Sequence, residues 1–253
     1  MDALGYKPVF DTARGKDKLD FEDFRNDPAY SFVAPAGNQV FTPDIQALTI
    51  AAEQDIDLFL HYLKIPKPAL GYKNLNFYPV DAVDCRHIMM STIIFSALKT
   101  VGHVVEIGGG FGNWARINVP THPINRWTII DLDFVQELQK WYLEKSLSAE
   151  DHAKIAYVKN TEDFSEIKPD LVIGAHSLNE LAWTDFETYL PLLNRTEYLF
   201  YASPLRSCNA EISNLFKIKL GVLSTKFDVV KEVQSEQGYV TNILFRAKRG
   251  SNL

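Results

Sequence analysis

Glu106 closes a run of apolar residues and is followed, after Ile107, by Gly108-Gly109-Gly110-Phe111-Gly112, so a carboxylate and a glycine turn fall at one point of the chain. Such a turn lets backbone approach a ligand closely, because a Cβ at Gly108 or Gly110 would collide with it. Some 20 residues on, a second apolar run ends in Asp131, where a carboxylate can accept both hydrogen bonds of a ribose diol or, alternatively, cap the next helix. The polar turn after Tyr157-Val158-Lys159 carries Glu162 and Asp163; either can take an adenine amino group, Asp163 being favoured, and a solvated acidic turn is the alternative. His176 follows Leu171–Ala175, and an imidazole of ordinary pKa about 6.5 suits proton removal near neutrality. Glu180, one helical turn later, can orient His176, bind acceptor hydroxyls or act as the base itself. The competing readings are a histidine that hydrogen-bonds a bound ligand and a first-turn acid favoured by the helix dipole. Asn179 is a further polar candidate for the acceptor.

These side chains need elements to carry them. Short apolar runs at His103–Ile107, Trp127–Ile130, Ile155–Val158, Leu171–Ala175, Tyr198–Ala202, Phe227–Ser235 and Tyr239–Ala247 alternate with helical stretches at Phe134–Ser146, Thr184–Leu193 and Asn209–Leu220. That alternation predicts a mostly parallel sheet wrapped by helices. The last two strands are separated only by Glu236-Gln237-Gly238, too short for a helical crossover, and so form an antiparallel hairpin. Before this region, one helix is expected from an N-cap at Thr42 through Ile45, Leu48, Ile56, Phe59, Leu60 and Leu63, stopped by Pro66, and a second, buried one from Asp84 to Leu98. Residues 1–80 therefore read as a helical and loop extension, a lid or acceptor-binding preface, before a ligand-binding domain over 81–253. The apolar residues Phe21, Phe24, Phe32 and Phe41 are too scattered to give the extension a core of its own.

Two ligands compete for the glycine loop. The pattern Glu106-x-Gly108-x-Gly110-x-Gly112 suits S-adenosylmethionine (SAM), whereas Gly110-x-Gly112-x-x-Ala115 can pass for a dinucleotide fingerprint. Spacing favours the first, since a dinucleotide turn should start directly at the strand end, and the acid argues for a cationic ligand. The chain resembles class I SAM-dependent methyltransferases over about Gly102 to Ala247, and more narrowly the sugar O-methyltransferase family. The narrower likeness rests on Val105–Gly112, on Ile129–Leu143 with its Leu138-Gln139-Lys140-Trp141-Tyr142-Leu143 step, and on Ala175-His176-Ser177-Leu178-Asn179-Glu180-Leu181. Asp133 stands where that family tends to have proline. The resemblance implies a Rossmann-like α/β methyltransferase sheet of seven strands ending in an antiparallel hairpin, with an N-terminal helical extension. It implies SAM as cofactor, held by Glu106, Gly108, Gly109, Gly110, Gly112, Asp131, Leu132 and Glu162 or Asp163, and O-methylation of a sugar or nucleotide-sugar hydroxyl. Arg86 is placed to reach the SAM carboxylate through two parallel bonds, with a surface salt bridge as its alternative, and Tyr78 is placed at the same mouth or in the core.

Composition bounds the rest. A net charge of −6 with interspersed signs gives no basic face for nucleic acid or anionic lipid. Neither a signal-peptide pattern nor an apolar run of roughly 20 residues occurs, so a cytoplasmic enzyme is expected, with homo-oligomers left open. Cys85 and Cys208 lack CxxC spacing and read as reduced and buried. Metal-free chemistry is expected, because Asp131 and Asp133 are the only tight acidic pair by the loop and Asp131 is assigned to ribose. His61, His87, His103, His122 and His152 read as structural or exposed. Asp27-Pro28-Ala29-Tyr30 resembles the motif of amino-methylating nucleic-acid enzymes but lies in the preface, with no strand before it, and reads as a turn. Two other functions stay open: a catalytically idle scaffold and an NAD(P)-dependent oxidoreductase.

Overall fold

The computed structural model describes residues 21–25, 42–68, 70, 80–160, 164–204, 210–235 and 240–250. Seven strands form one sheet: β1 (His103–Ile107), β2 (Arg126–Asp131), β3 (Ile155–Lys159), β4 (Leu171–Ile173), β5 (Tyr198–Pro204), β6 (Phe227–Ser235) and β7 (Val240–Ala247). Their order is β3-β2-β1-β4-β5-β7-β6. Pairings are parallel from β3 to β5, and β7 runs antiparallel to both β5 and β6. Alternate residues feed opposite faces, as a period of two requires: Val104, Ile129 and Phe200 join one core, while Val105, Ile130 and Leu199 join the other.

The first face is covered by α1 (Thr42–Gln54), α2 (Ile56–Tyr62), α3 (Ala82–Ala97), α4 (Asn113–Asn118) and α5 (Asp133–Ser146), with the one-turn α6 (Ala149–His152) after them. On the second lie α7 (Ser177–Glu180), α8 (Trp183–Glu187), α9 (Leu190–Leu193) and α10 (Ala210–Lys226). The expected helix from Thr42 to Leu63 is broken. Asp55 sits at φ −164°, ψ 102° and its carboxylate accepts from the Leu58 amide at 3.0 Å, capping a new helix instead of continuing the old one. Thr42 is the first helical residue rather than the cap. Ile45, Ile56, Leu60 and Leu63 are exposed, whereas Leu48 and Phe59 pack on the core as expected, beside Ala47, Ile50, Ala51 and Tyr62. The single helix expected over Thr184–Leu193 is likewise split, with Pro191 in the first turn of α9, where its missing N–H costs nothing.

Helix α3 begins with a reciprocal capping box, Asp81 accepting from the Asp84 amide at 2.9 Å and Asp84 from that of Asp81 at 3.2 Å. Both acids are 2% exposed and carry a buried ion network. Lys67 donates to Asp81 at 2.7 Å and to Asp84 at 2.8 Å, Arg116 reaches Asp84 at 2.8 Å, and Arg25 bonds Asp81. Burial alone would raise Asp84, but Arg116 and Lys67 overcome it and hold the carboxyl at about 2. The network, with Phe24 buried against Phe111 and Tyr142, ties described residues of the first 80 into the same core as the sheet. Removing the shared cation should be costly, since each of the two buried carboxylates would lose a charge-assisted bond that it accepts from the Lys67 ammonium. Lys67→Met is expected to cost about 2 kcal/mol and to lower the melting temperature by about 4–8 °C at pH 7. An unchanged melting curve would show that the extension is not anchored through this pair.

Candidate functional site

In an open α/β sheet, ligands collect beyond the carboxyl ends of the strands where the strand order reverses. Here that point lies between β1 and β4, and a cleft of about 320 Å³ opens there. It is lined by the ends of β1, β2 and β4, by Gly108–Phe111, Asn160 and Tyr189, and by Arg86, His87 and Met90 of α3. The register explains the convergence: Glu106 pairs with Ile129 and Ile173, so the β1 acid and the β2 and β4 ends lie side by side.

Glu106 is 3% exposed, and the Trp127 indole N–H donates to its Oε2 at 2.8 Å. Burial, opposed by that bond and reinforced by Asp131, raises its carboxyl to about 8. Asp131 lines the same cleft; its Oδ1 accepts from the Leu132 amide at 2.8 Å and its Oδ2 from Gln139 at 2.7 Å. Burial raises Asp131 as well, to about 6. Gln139 also donates to the Gly110 carbonyl at 2.9 Å, clamping loop and acid together, while its own Oε1 is buried without a partner. The sequence analysis assigned Gln139 no role; its signal was a buried amide on the apolar face of α5. Asp133 turns away to Lys159 at 3.0 Å, so it forms no acidic pair with Asp131.

The glycines have a second reason to be glycine. Gly108, Gly110 and Gly112 lie at φ 73°, 56° and 91°, where only glycine is unstrained. A Cβ on Gly108 would stand 2.5 Å from the Ser177 Cβ, so the protein's own β4–α7 turn already fills the space that the sequence analysis reserved for a ligand. Substituting Gly108 would therefore disturb the turn as well as any ligand.

The sheet order, with β7 inserted antiparallel between β5 and β6, decides the architecture. This is the Rossmann-like methyltransferase fold. Solved structures similar to the chain include the methyltransferase domain of bacterial CtHen1 (14% identity, TM-score 0.49, 62% of this chain and 96% of that one). Others are the glycopeptide N-methyltransferase MtfA (13%, 0.49, 64% and 90%) and the mitomycin 7-O-methyltransferase MmcR (14%, 0.46, 82% and 69%). Likenesses of this size concern the chain path at most. No protein-family model and no curated protein matches the sequence.

On this sheet, His176, in the turn between β4 and α7, is the residue of most chemical interest. His176 lies at φ 62°, ψ −48°, the one non-glycine residue at positive φ among those described. The Ser177 amide donates back to the Ala175 carbonyl at 2.7 Å, closing a tight three-residue turn centred on His176. Such a conformation costs about 1–3 kcal/mol and survives only where the surroundings impose it. Here Ser177 Oγ bonds the Ile107 carbonyl, and the His176 amide donates to Ala202 at 2.8 Å. Gly174 allows the approach, since a Cβ there would meet Leu178 at 2.2 Å. Burial, and the nearby Arg86 charge, pull the His176 imidazole down to about 4, so it is neutral at physiological pH. Glu180 is exposed and lines the cleft.

The other expected site residues separate. Arg86 lines the cleft, its side chain 45% exposed and its Nε 3.5 Å from Asp44. Leu132 lines it too. Asn179 does not: it is 1% exposed, and its Oδ1 accepts from Tyr201 at 3.4 Å on the far side of α7. The single turn of α7 presents Glu180 to the cleft and buries Asn179. Tyr78, Glu162, Asp163 and Cys208 lie outside the described residues. Cys85 is buried, which pushes its thiol up to about 12.

His87, read from sequence as structural or exposed, lines the cleft, stacked on Trp114 with ring centroids 5.2 Å apart. Arg116 can only donate, and its Nε bonds Asn113 Oδ1 at 2.8 Å, which orients the amide. Asn113 Nδ2 therefore donates to His87 Nδ1 at 3.1 Å, and the proton of the neutral ring sits on Nε2. Burial lowers this imidazole to about 4 despite Asp84 and Asp81.

Proposed function

We propose that the protein is a SAM-dependent methyltransferase acting on a hydroxyl of a sugar or sugar-like small molecule. The observation that carries the cofactor reading is the pair of carboxyls, buried Glu106 and half-buried Asp131, on either side of the Gly108–Gly112 turn at the head of β1. Among the described lining residues, Arg86 is the one permanently charged cation. A pyrophosphate would meet two acids and little to neutralise it, which disfavours NAD(P); a cationic nucleoside would meet a matched pair.

In this reading Glu106 receives the amino group of SAM, Arg86 its carboxylate, and Asp131, held by Gln139 and the Leu132 amide, the ribose diol. Ile130, Leu132, Val135 and Tyr189 offer apolar surface to the base, and Glu162 or Asp163 its amino partner. Bound SAM supplies a methyl group on a cationic sulfur. The chain's task is to align the acceptor, keep water away and remove a proton. His176, facing the cleft from a strained turn, is the favoured base, and Glu180 its partner, an acceptor ligand or the base itself. A sugar-like acceptor suits a mouth that sets Glu180, Arg86 and the Nε2–H of His87 beside the Trp114 indole.

Calorimetry with SAM and, separately, with NAD tests the assignment. SAM is expected to bind, and Asp131→Ala to weaken it by about 1.5–3 kcal/mol through loss of charge-assisted bonds to the diol. Binding of NAD alone would move the protein to the oxidoreductases, and binding of neither would leave a scaffold. For the acceptor, transfer of labelled methyl from SAM into a fractionated small-molecule extract should mark a hydroxyl-bearing product. A label found only in RNA or protein would overturn the small-molecule reading.

A further inference from the structure

The strained turn at His176 is held from below by a residue of a separate helix, α10. Lys219, on α10, is 0% exposed. Its ammonium donates to the carbonyls of Leu178 at 2.7 Å, Asn179 at 3.0 Å and Leu181 at 2.6 Å. Its three N–H groups are thereby used, and the nitrogen stands 5.4 Å from the centre of the Phe186 ring. The accepting carbonyls bracket Glu180. Helix α7 is a single turn, so these oxygens have no continuing helix to bond them.

We infer that Lys219 is a positioning residue, whose ammonium pins the carbonyls around Glu180 and so keeps Glu180 and His176 turned toward the cleft. A strained turn relaxes unless its flanks are fixed. The upstream flank is fixed by the approach that Gly174 allows and by the bond of the His176 amide to Ala202, and the Ser177 hydroxyl, bonded to the Ile107 carbonyl, fixes the next residue. The downstream flank is fixed by the carbonyls on Lys219. Asp185 and Glu180 are the acids whose charge reaches Lys219, and both favour its charged form against burial. The two amides that report on the turn, Asn179 and Glu180, donate to the His176 carbonyl at 3.0 and 3.1 Å. The catalytic meaning of the lock rests on the methyltransferase reading; the lock itself does not.

Lys219→Met keeps the stem and removes every donor. In the full chain at neutral pH, amide hydrogen exchange of Asn179 and Glu180 should speed up about 10- to 100-fold, while the amides of β1 and β2 change by less than about twofold. SAM affinity should hold within about twofold, methyl transfer should fall about 10- to 100-fold, and Lys219→Arg should recover part of both losses. Exchange unchanged at Asn179 and Glu180, or accelerated equally across the sheet, would overturn the inference, as would full transfer activity in Lys219→Met. Should that variant not fold, the wild type still decides: a bonded Lys219 ammonium gives a slowly exchanging nitrogen-15 signal, and an ammonium exchanging like free lysine sinks the idea. Absence of SAM binding in the wild type would defeat the methyltransferase reading and leave the exchange experiment to judge the lock alone.

Discussion

SAM is expected to bind about 25-fold more weakly near pH 6 than near pH 8, releasing close to one proton per ligand near pH 6 and progressively fewer toward pH 8. Burial holds the Glu106 carboxyl at about 8, against an ordinary value of 4.5, so the free protein keeps this proton through neutrality. A ligand ammonium, of ordinary pKa about 7.7–8.0, pairs with the ionised form and expels the proton, which gives about a tenfold gain per pH unit. Near pH 8 the gain ends, because the ligand's own amino group then begins to lose its proton and the pair can no longer form. Asp131, at about 6, steepens the dependence only on the acid side. Calorimetry in two buffers of different ionisation enthalpy reads the proton count directly. Glu106→Gln should bind weakly with a flat profile; a wild-type profile that is already flat would remove Glu106 from the cofactor site.

The same shift has a consequence for the free protein. Folded Glu106 retains a proton that the unfolded chain has lost between pH 4.5 and about 8, so this group lowers stability as pH rises through that window. Asp84 works in the opposite sense: held at about 2 against an ordinary 3.8, it contributes stability above pH 3.8 that is lost as pH falls toward 2.

Replacing His176 by alanine is expected to lower methyl transfer about 10²- to 10⁴-fold with SAM affinity nearly intact, the range for loss of general-base assistance. Because burial keeps the imidazole at about 4, it is available as a neutral proton acceptor throughout the physiological range. Its titration sets no limb of the rate profile above about pH 5. A base so weak holds its proton poorly, and this is where Glu180, one turn later on the same cleft wall, can share the proton or take it. His176→Gly separates chemistry from folding. Glycine accepts φ 62° without strain, so this variant should melt at or above the wild-type temperature while losing the same turnover. EDTA should have little effect on either. Wild-type turnover in both His176→Ala and Glu180→Ala, or activity lost to EDTA and restored by Mg²⁺, would overturn this mechanism.

The amino-acid sequence by itself determined the strands, the closing hairpin and the acids at strand ends, because each is written in a local pattern. Apolar runs of period two or less define β1, β2 and β4, and the residues that follow such runs, Glu106, Asp131 and His176, must fall at the ligand-binding edge of the sheet. The break at Asp55 was also local, yet the apolar period through Ile45 to Leu63 masked a cap that only its φ and its bond to Leu58 reveal. What the tertiary structure decided are pairings between residues far apart in the chain. Gln139 reaches back to Gly110, Lys219 to Leu178, Asn179 and Leu181, and Arg116 through Asn113 to the proton on His87. None of these has a sequence period, since each depends on which faces of separate elements meet. Gly108 shows the difference within one residue: its place in the loop is legible as glycine, but the atom that forbids a side chain there belongs to Ser177, about 70 positions on, brought close only because β1 and β4 are neighbours in the sheet.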